Sequence, residues 1–316
     1  MKSHFIIYGY GAMGSAMAHH LYSNHQSVSV TPSPYDNLNN IPSNLMACKP
    51  QASDHVIHII STSHKGINWC LSAIEMNTLE QNNDLLILTK GLVIDQGAIR
   101  TISDYIKKTN HFHHVCCLTG PCIANEMMQG EPASVVISSE NHEFMNHIQR
   151  QIQTPNYSVQ TCQDMIGHQW AAALKNIYAI LINAQSAYSF TTQENLTAAL
   201  FYAVHHELSE IIARVGGKKE TAYSLSGIGD IWVTCRKGRN GKFGHHWGTS
   251  PLTPAQINSA IFNNTTVEGY MLAIKLESLW QSTAHLCQFP IISHTLSALA
   301  KNQPFSVLHS QLANYL

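Results

Sequence analysis

The sequence predicts an α/β protein: an N-terminal doubly wound, mostly parallel sheet followed by an all-helical C-terminal domain. Three observations carry this reading. Short β-type runs alternate with helical stretches through the first half. A G-x-G-x-x-G pattern follows the first of those runs directly. After Asp164 long apolar-periodic segments take over and few β-type runs remain. The boundary is expected there, giving domains 1–164 and 165–316.

The candidate strands, in order, are HFIIYG, SVSVT, HVIHIIST, DLLILTK, HHVCCLTG and ASVVIS, with a last run, NYSVQT, before Asp164. In most of them, HFIIYG, HVIHIIST, DLLILTK, HHVCCLTG and ASVVIS, the apolar residues are continuous rather than alternating, which suits strands covered on both faces. Helices are expected between them, at Ala12 to Ser23 and Gly97 to Lys107 among others. The second domain should hold helices at Gly167 to Tyr188, Asn195 to Val215, Thr266 to Leu286 and Ile291 to Leu299.

Composition narrows the classes. A chain of 316 residues suits two domains, and 44% hydrophobic residues supply their cores. Charged residues are 12% and the net charge is −1, so no field attracts nucleic acid or an anionic membrane. Twenty His residues would push the charge positive as pH falls through about 6.5. The eight Cys residues form no C-x-x-C pair and read as free thiols rather than a disulfide frame or a zinc site. The opening MKSHFIIYGYG lacks the h-region and cleavage site of a signal peptide, and no window reaches the length of a membrane span. A cytoplasmic protein is expected.

In FIIYGYGAMGSAMAHHL, Gly9, Gly11 and Gly14 stand between a strand and a helix. Gly9 permits the tight turn, Gly11 lets a pyrophosphate approach the backbone, and Gly14 allows close helix–strand packing. The helix N-terminus then faces the phosphate charge. For the 2′ group of the cofactor, Asp36 is the nearby acid, in a Pro-rich loop after the second run. It reads equally as a ribose contact or as a solvated turn residue, so NAD is only mildly favoured over NADP.

Lys90 ends DLLILTKG, at the carboxyl edge where open α/β sheets bind ligands, and LTGPCIANE follows another strand in the same manner. In WAAALKNIYAILINA, Trp170 to Ala184, the helix is apolar on every side and should be buried. Yet Lys175 and Asn176 sit in its middle. Gln169, Asn176 and Asn183 are seven apart and share one face beside Lys175. On the helix alone, Lys175 either lines a cavity or snorkels to the surface. Beyond it, Asp230 lies between glycines, and Arg236, Lys237, Arg239 and Lys242 cluster with Asn240 in the densest basic stretch of the chain. An Arg fork with backbone amides suits a phosphate, though basic Gly-rich turns are also common. The pairs His205–His206 and His245–His246 lack the i, i+4 spacing of metal ligands, so no metal is expected.

Taken together, GYGAMG, LTKG, LTGPCIANE, ALKN, SGIGDIWVTC, GRN, VEGY and FPI, in that order, resemble NAD(P)-dependent glycerol-3-phosphate dehydrogenase of the bacterial type. The resemblance runs over most of the chain. It implies a Rossmann-like dinucleotide-binding domain over 1–164 and a helical substrate-binding domain over 165–316, as in 6-phosphogluconate-dehydrogenase-like folds. It implies hydride transfer between NAD(P)H and dihydroxyacetone phosphate, supplying sn-glycerol 3-phosphate for phospholipid synthesis, in a homodimer. Carried onto this chain, Lys175, Lys90 and Asp230 would be catalytic, with Lys175 the proton acceptor in oxidation. Lys90, Gly120, Cys122, Lys175, Asn176, Asp230, Gly238, Arg239 and Asn240 would meet substrate. Gly9, Gly11, Ala12, Met13, Gly14, Lys90, Ala124, Arg239 and Glu268 would meet the dinucleotide.

The chemistry agrees with these roles. Oxidising a secondary alcohol removes a proton as hydride leaves, and a Lys amine with its pKa brought towards neutrality can take it. Asp230 could orient Lys175, and Arg239 would anchor the phosphate so that the reacting carbon is held in place. The chain departs from the family pattern around that lysine, with Gln169 for an acid and Ala171 and Ala172 for glycines. It also departs at Cys122 (Ser is usual), at Asn125 (Lys is common), at Ala203 and Val204 (Arg and Gly), and in a loop before Arg239 shorter by two residues. Two other readings remain open at this point: a reductase of another small carbonyl compound, and a non-catalytic dinucleotide-binding homologue.

Overall fold

The computed structural model describes residues 3–51, 54–77, 83–108, 112–188, 194–263, 265–312 and 315. The chain divides into two compact units, 1–93 with 101–165, and 94–100 with 166–316.

In the first stretch of chain, β1 (Ser3–Tyr8), α1 (Ala12–Ser23), β2 (Ser27–Thr31), α2 (Ser43–Ala47), β3 (His55–Ile60), α3 (Ile67–Asn77) and β4 (Asn83–Ile87) come in alternation. β5 (Leu92–Asp95), β6 (Ala98–Thr101), α4 (Ile102–Lys107), β7 (His114–Thr119), α5 (Ala124–Met128), β8 (Ala133–Ser139), α6 (His142–Ile152) and β9 (Tyr157–Cys162) follow. Seven strands form one sheet in the order β2-β1-β3-β4-β7-β8-β9. The pairs from β2 to β7 are parallel, β8 runs against β7, and β9 runs with β8. The chain leaves β1 in one direction to β2 and in the other to β3, so the glycine loop after β1 lies at a topological switch point.

The apolar runs are continuous because successive residues feed different cores. Phe5, Ile7, Ile57, Ile59 and Leu86 pack with Met17 and Leu21 of α1 and with Ile148 of α6. Ile6, Tyr8, Ile60, Leu85 and Ile87 pack with Ile67 and Ile74 of α3 and Ile106 of α4. Helices therefore cover both faces, as the period-2 geometry of strands requires. Histidines share this interior. The buried His4 ring reaches the hydroxyls of Ser27 at 2.8 Å and Ser29 at 2.9 Å. His58 lies between the Tyr8 hydroxyl at 3.0 Å and Asn83 Oδ1 at 3.2 Å.

One expectation fails here. The helix predicted over Gly97 to Lys107 begins only at Ile102, with the Thr101 side chain capping it by accepting from the Asp104 amide. The residues before it form the β5–β6 hairpin. Gln96 and Gly97 have φ of 49° and 74°, the left-handed pair that matches the twist of a two-residue hairpin loop.

The second stretch is helical: α7 (Met165–Ala187), α8 (Glu194–Arg214), α9 (Asp230–Arg236), α10 (Arg239–Thr249), α11 (Pro254–Ala260), α12 (Glu268–Ser282), α13 (Pro290–Ala300) and α14 (Phe305–Leu312). Helix α7 is buried without interruption from Gly167 to Ile182, as its all-round apolar character demands. Helix α10 packs on it almost backbone to backbone. A Cβ on Gly244 would stand 2.2 Å from the Ile180 carbonyl oxygen, so only glycine permits this approach. Among the described residues, no helix is long and apolar enough to cross a membrane. All eight cysteines are free.

Candidate active site

In the first unit the glycine loop forms as its spacing implies. Gly9 turns the chain after β1 with φ of 93°, a conformation that side chains with a Cβ rarely adopt. A Cβ on Gly14 would meet the Gly9 carbonyl oxygen at 2.2 Å and Ser61 Oγ at 2.6 Å. Ser61, just past β3, itself donates to the Tyr8 and Gly9 carbonyls at 3.0 and 2.8 Å. This fastening was not visible in the sequence, where Ser61 is simply the tail of an apolar run. Gly11 caps α1 with no side-chain hydrogen bond, and no acid stands in the first turn. Nothing lies within 4 Å of where a Gly11 Cβ would be. The loop, with Ala12 and Met13 opening the helix, thus fits a pyrophosphate held on a helix N-terminus.

Asp36 is neither a bare solvated residue nor turned away from this loop. Its Oδ2 accepts from the amides of Tyr10 at 2.8 Å and Ser33 at 2.7 Å. It ties the glycine loop to the segment after β2. Lys90 lies three residues beyond β4, half-buried, and its Nζ donates to the Gly120 carbonyl at 3.1 Å. β4 and β7 are neighbours, so Lys90 and Gly120 meet at one carboxyl edge. Cys122 is half-buried two residues on, and Ala124 opens α5.

The second unit answers the question posed by Lys175. The side chain does not snorkel: the residue is 7% exposed and its ammonium pairs with Asp230, itself 1% exposed. Asp230 is the first residue of α9, directly after a π-turn over Leu225–Gly229. Asn176, the next residue on α7, accepts from Asn240 Nδ2 at 2.9 Å and donates to Glu268 at 3.5 Å. Asn240 in turn accepts the Gly269 amide at 2.9 Å. These contacts fix the orientation of the two Asn side-chain amides.

Gly238, with φ of 106°, caps α10, and Arg239 begins that helix on the exposed side of Asn240. Arg236 lies over the Trp232 ring at 5.5 Å. The stripe beside Lys175 is only partly joined. Gln169 is buried, while Asn183 turns back to the Ala179 carbonyl of its own helix at 2.9 Å. Burial pushes the nearby Cys235 thiol up to about 12, so it stays protonated. Among the described residues, no group of three or more His, Cys, Asp or Glu is placed to hold a metal ion.

Arranged so, the second unit offers a held proton carrier beside fixed amides and an exposed guanidinium, and the first a phosphate cradle. The comparisons name one family for both units. Two family models match, the NAD-dependent glycerol-3-phosphate dehydrogenase N-terminus over residues 35–145 and its C-terminus over residues 164–309. An NADP(+)-dependent glycerol-3-phosphate dehydrogenase of Archaeoglobus fulgidus is 28% identical over 297 residues, 85% of this chain and 87% of that one. A glycerol-3-phosphate dehydrogenase [NAD(P)+] of Francisella tularensis subsp. mediasiatica is 26% identical over 321 residues, covering 95% and 93%. Two solved structures share the fold. A glycerol-3-phosphate dehydrogenase from Coxiella burnetii has a TM-score of 0.76 at 22% identity, covering 95% of this chain and 98% of that one. The Plasmodium falciparum glycerol-3-phosphate dehydrogenase has a TM-score of 0.84 at 17% identity, covering 100% and 96%. The chain belongs to the NAD-dependent glycerol-3-phosphate dehydrogenase family.

Proposed function

We propose that this protein interconverts dihydroxyacetone phosphate and sn-glycerol 3-phosphate with NAD(P)(H), and that Lys175 is its acid/base. The buried Lys175–Asp230 pair carries the reading. An ammonium in an apolar helix is costly unless it is paired, as Lys175 is with Asp230. When bound, the nicotinamide supplies or accepts the hydride. In reduction the Lys175 ammonium gives a proton to the carbonyl oxygen, and the amine left behind is reprotonated from solvent. In oxidation the amine takes the hydroxyl proton as hydride leaves C2. Asp230 keeps the amine aimed, and Asn240 and Asn176 present fixed amide dipoles. Gly238 and Arg239 are assigned to the substrate phosphate, and Arg239 with Glu268 to the dinucleotide.

In the first unit, Gly9, Gly11, Ala12, Met13 and Gly14 are assigned to the pyrophosphate, Ala124 and Lys90 to the cofactor, and Lys90, Gly120 and Cys122 to substrate. The carboxylate of Asp36, set beside the glycine loop, supports NAD over a 2′-phosphorylated cofactor. The family resemblance supports a cytoplasmic homodimer feeding phospholipid synthesis, and the second unit exposes Tyr202, Tyr223 and Trp232. The test is a steady-state assay of dihydroxyacetone phosphate with NADH and with NADPH, beside non-phosphorylated carbonyl compounds. Turnover of dihydroxyacetone phosphate that Lys175→Ala abolishes is expected. Firm dinucleotide binding without turnover in either direction would overturn the reading.

A further inference from the structure

Buried polar contacts join helix α7 to the segment that delivers Asp230, and a pair of them stands out. One is the Lys175–Asp230 pair itself. The other is seven residues earlier, where His168 Nδ1 and Ser226 Oγ are hydrogen-bonded at 2.7 Å. Seven residues are about 10 Å along a helix and return to the same face. His168 is 2% exposed and Ser226 is fully buried. The two contacts are therefore rungs between one face of α7 and the stretch 226–230.

That stretch is an unusual one. It is a π-turn, Leu225–Gly229, running straight into α9. Wide i→i+5 turns are rare and are kept only where their surroundings hold them. On one side it is wedged: a Cβ on Gly227 would stand 1.9 Å from the Ala222 carbonyl oxygen. The Ser224 side chain accepts the Ser226 amide at 3.2 Å. On the α7 side, the His168–Ser226 hydrogen bond holds it. Were the turn to relax towards ordinary helix, one residue of register would be lost and the Asp230 carboxylate would rotate away from the ammonium.

We propose that His168, through Ser226, is a positioning residue that fixes where Asp230 stands and so how the Lys175 ammonium is aimed. The proposal rests on the reading of Lys175 as the acid/base. A misplacement of about 1 Å at a reacting group can cost roughly 100-fold in rate. Ser226→Ala and His168→Leu should each lower kcat for dihydroxyacetone phosphate reduction by roughly 10- to 100-fold, within that bound. The KM and the dinucleotide affinity should hold within about twofold. The pH profile of kcat should shift, because the ammonium loses its fixed partner. His168→Asn, whose amide reaches the place of Nδ1, should restore most of the rate. The double variant should be no worse than either single one.

The measurement is steady-state kinetics of the full-length protein against pH, with dinucleotide titration and thermal melting on each variant. Wild-type kcat and pH profile in a folded Ser226→Ala protein would overturn the proposal. So would equal losses in His168→Leu and His168→Asn, which would mean a bulk packing effect. If Lys175→Ala keeps full turnover, the acid/base reading has failed and this proposal falls with it. If Lys175→Ala is dead while Ser226→Ala is unaffected, only the positioning role has failed.

Discussion

Glu207 offers the sharpest test of the second unit's energetics. This residue of α8 is 6% exposed. Its carboxylate accepts the Ile291 amide at 2.7 Å, the Ile292 amide at 2.8 Å and the Tyr178 hydroxyl at 3.1 Å. Ile291 and Ile292 are the second and third residues of α13, whose amides have no partner inside the helix. Phe289 at the N-cap cannot serve them, so a side chain from another helix does. Burial pushes the Glu207 carboxyl from 4.5 up to about 7, although its three hydrogen bonds pull the other way. Between those values the folded protein holds a proton that the unfolded chain has released. Its contribution to stability is full below pH 4.5 and is lost as pH rises through about 7. The gap amounts to about 3 kcal/mol. Glu207→Gln cannot titrate, so the difference in stability between wild type and variant should fall by about 2.5 kcal/mol from about pH 5 to about pH 8. Urea denaturation followed by Trp fluorescence would measure it, since four of the five tryptophans, Trp170, Trp232, Trp247 and Trp280, are in this unit. Parallel stability curves for the two proteins across that range would refute the reasoning.

Other outcomes follow from single contacts. Gly14→Ala should weaken dinucleotide binding and cost about 1–3 kcal/mol, because its Cβ would strike the Gly9 carbonyl; calorimetric titration and melting check both. Lys175→Met leaves Asp230 buried without its ammonium and should cost about 3–5 kcal/mol, with part of it regained in Lys175→Met/Asp230→Leu; a loss that the second change deepens would contradict this. His58 titrates in the opposite sense to Glu207. Burial lowers it to about 4, so its contribution is present above pH 6.5 and is lost as pH falls towards about 4, and acid unfolding should come later in a His58→Gln protein. Thr101→Ala should cost about 1 kcal/mol by uncapping α4, read from its denaturation midpoint.

Much of this was legible in the sequence because short-range rules determine it. The parallel strands announced themselves as apolar runs, since both of their faces are covered. The glycine loop was legible because three small residues at fixed spacing have one common use between a strand and a helix. Gly97 to Thr101 departs from the helix expected over Gly97 to Lys107 because Gly97, the second residue of the turn, reads as the start of the helix pattern that follows it. A turn signal between LVID and AIRT was there to be weighed. What stayed hidden depends on contacts between distant residues. Nothing local marks Ser61 as a fastening on the Gly9 carbonyl, or Glu207 as the cap of a helix that begins 83 residues later. Lys175 was undecided between burial and snorkelling until Asp230, 55 residues away, was seen beside it. The reversed direction of β8 and β9 likewise follows from connection geometry, not from the composition of the strands.

The seam between α7 and α10 has a consequence for how such a protein can change. Where Gly244 meets the Ile180 carbonyl, and Gly248 the Ala184 carbonyl, one main chain rests on another. Main chain has no rotamers, so the seam admits neither repacking nor gradual adjustment. Gly217 makes a similar approach to the Gly167 main chain near the start of α7, but between there and the lysine Gln169, Ala171 and Ala172 fill buried space with side chains, and side chains can be exchanged. Variation is thereby channelled to the turns between these contacts while the helix is pinned on either side of them. A lineage could alter the surroundings of Lys175 many times over without ever lifting it from its seat.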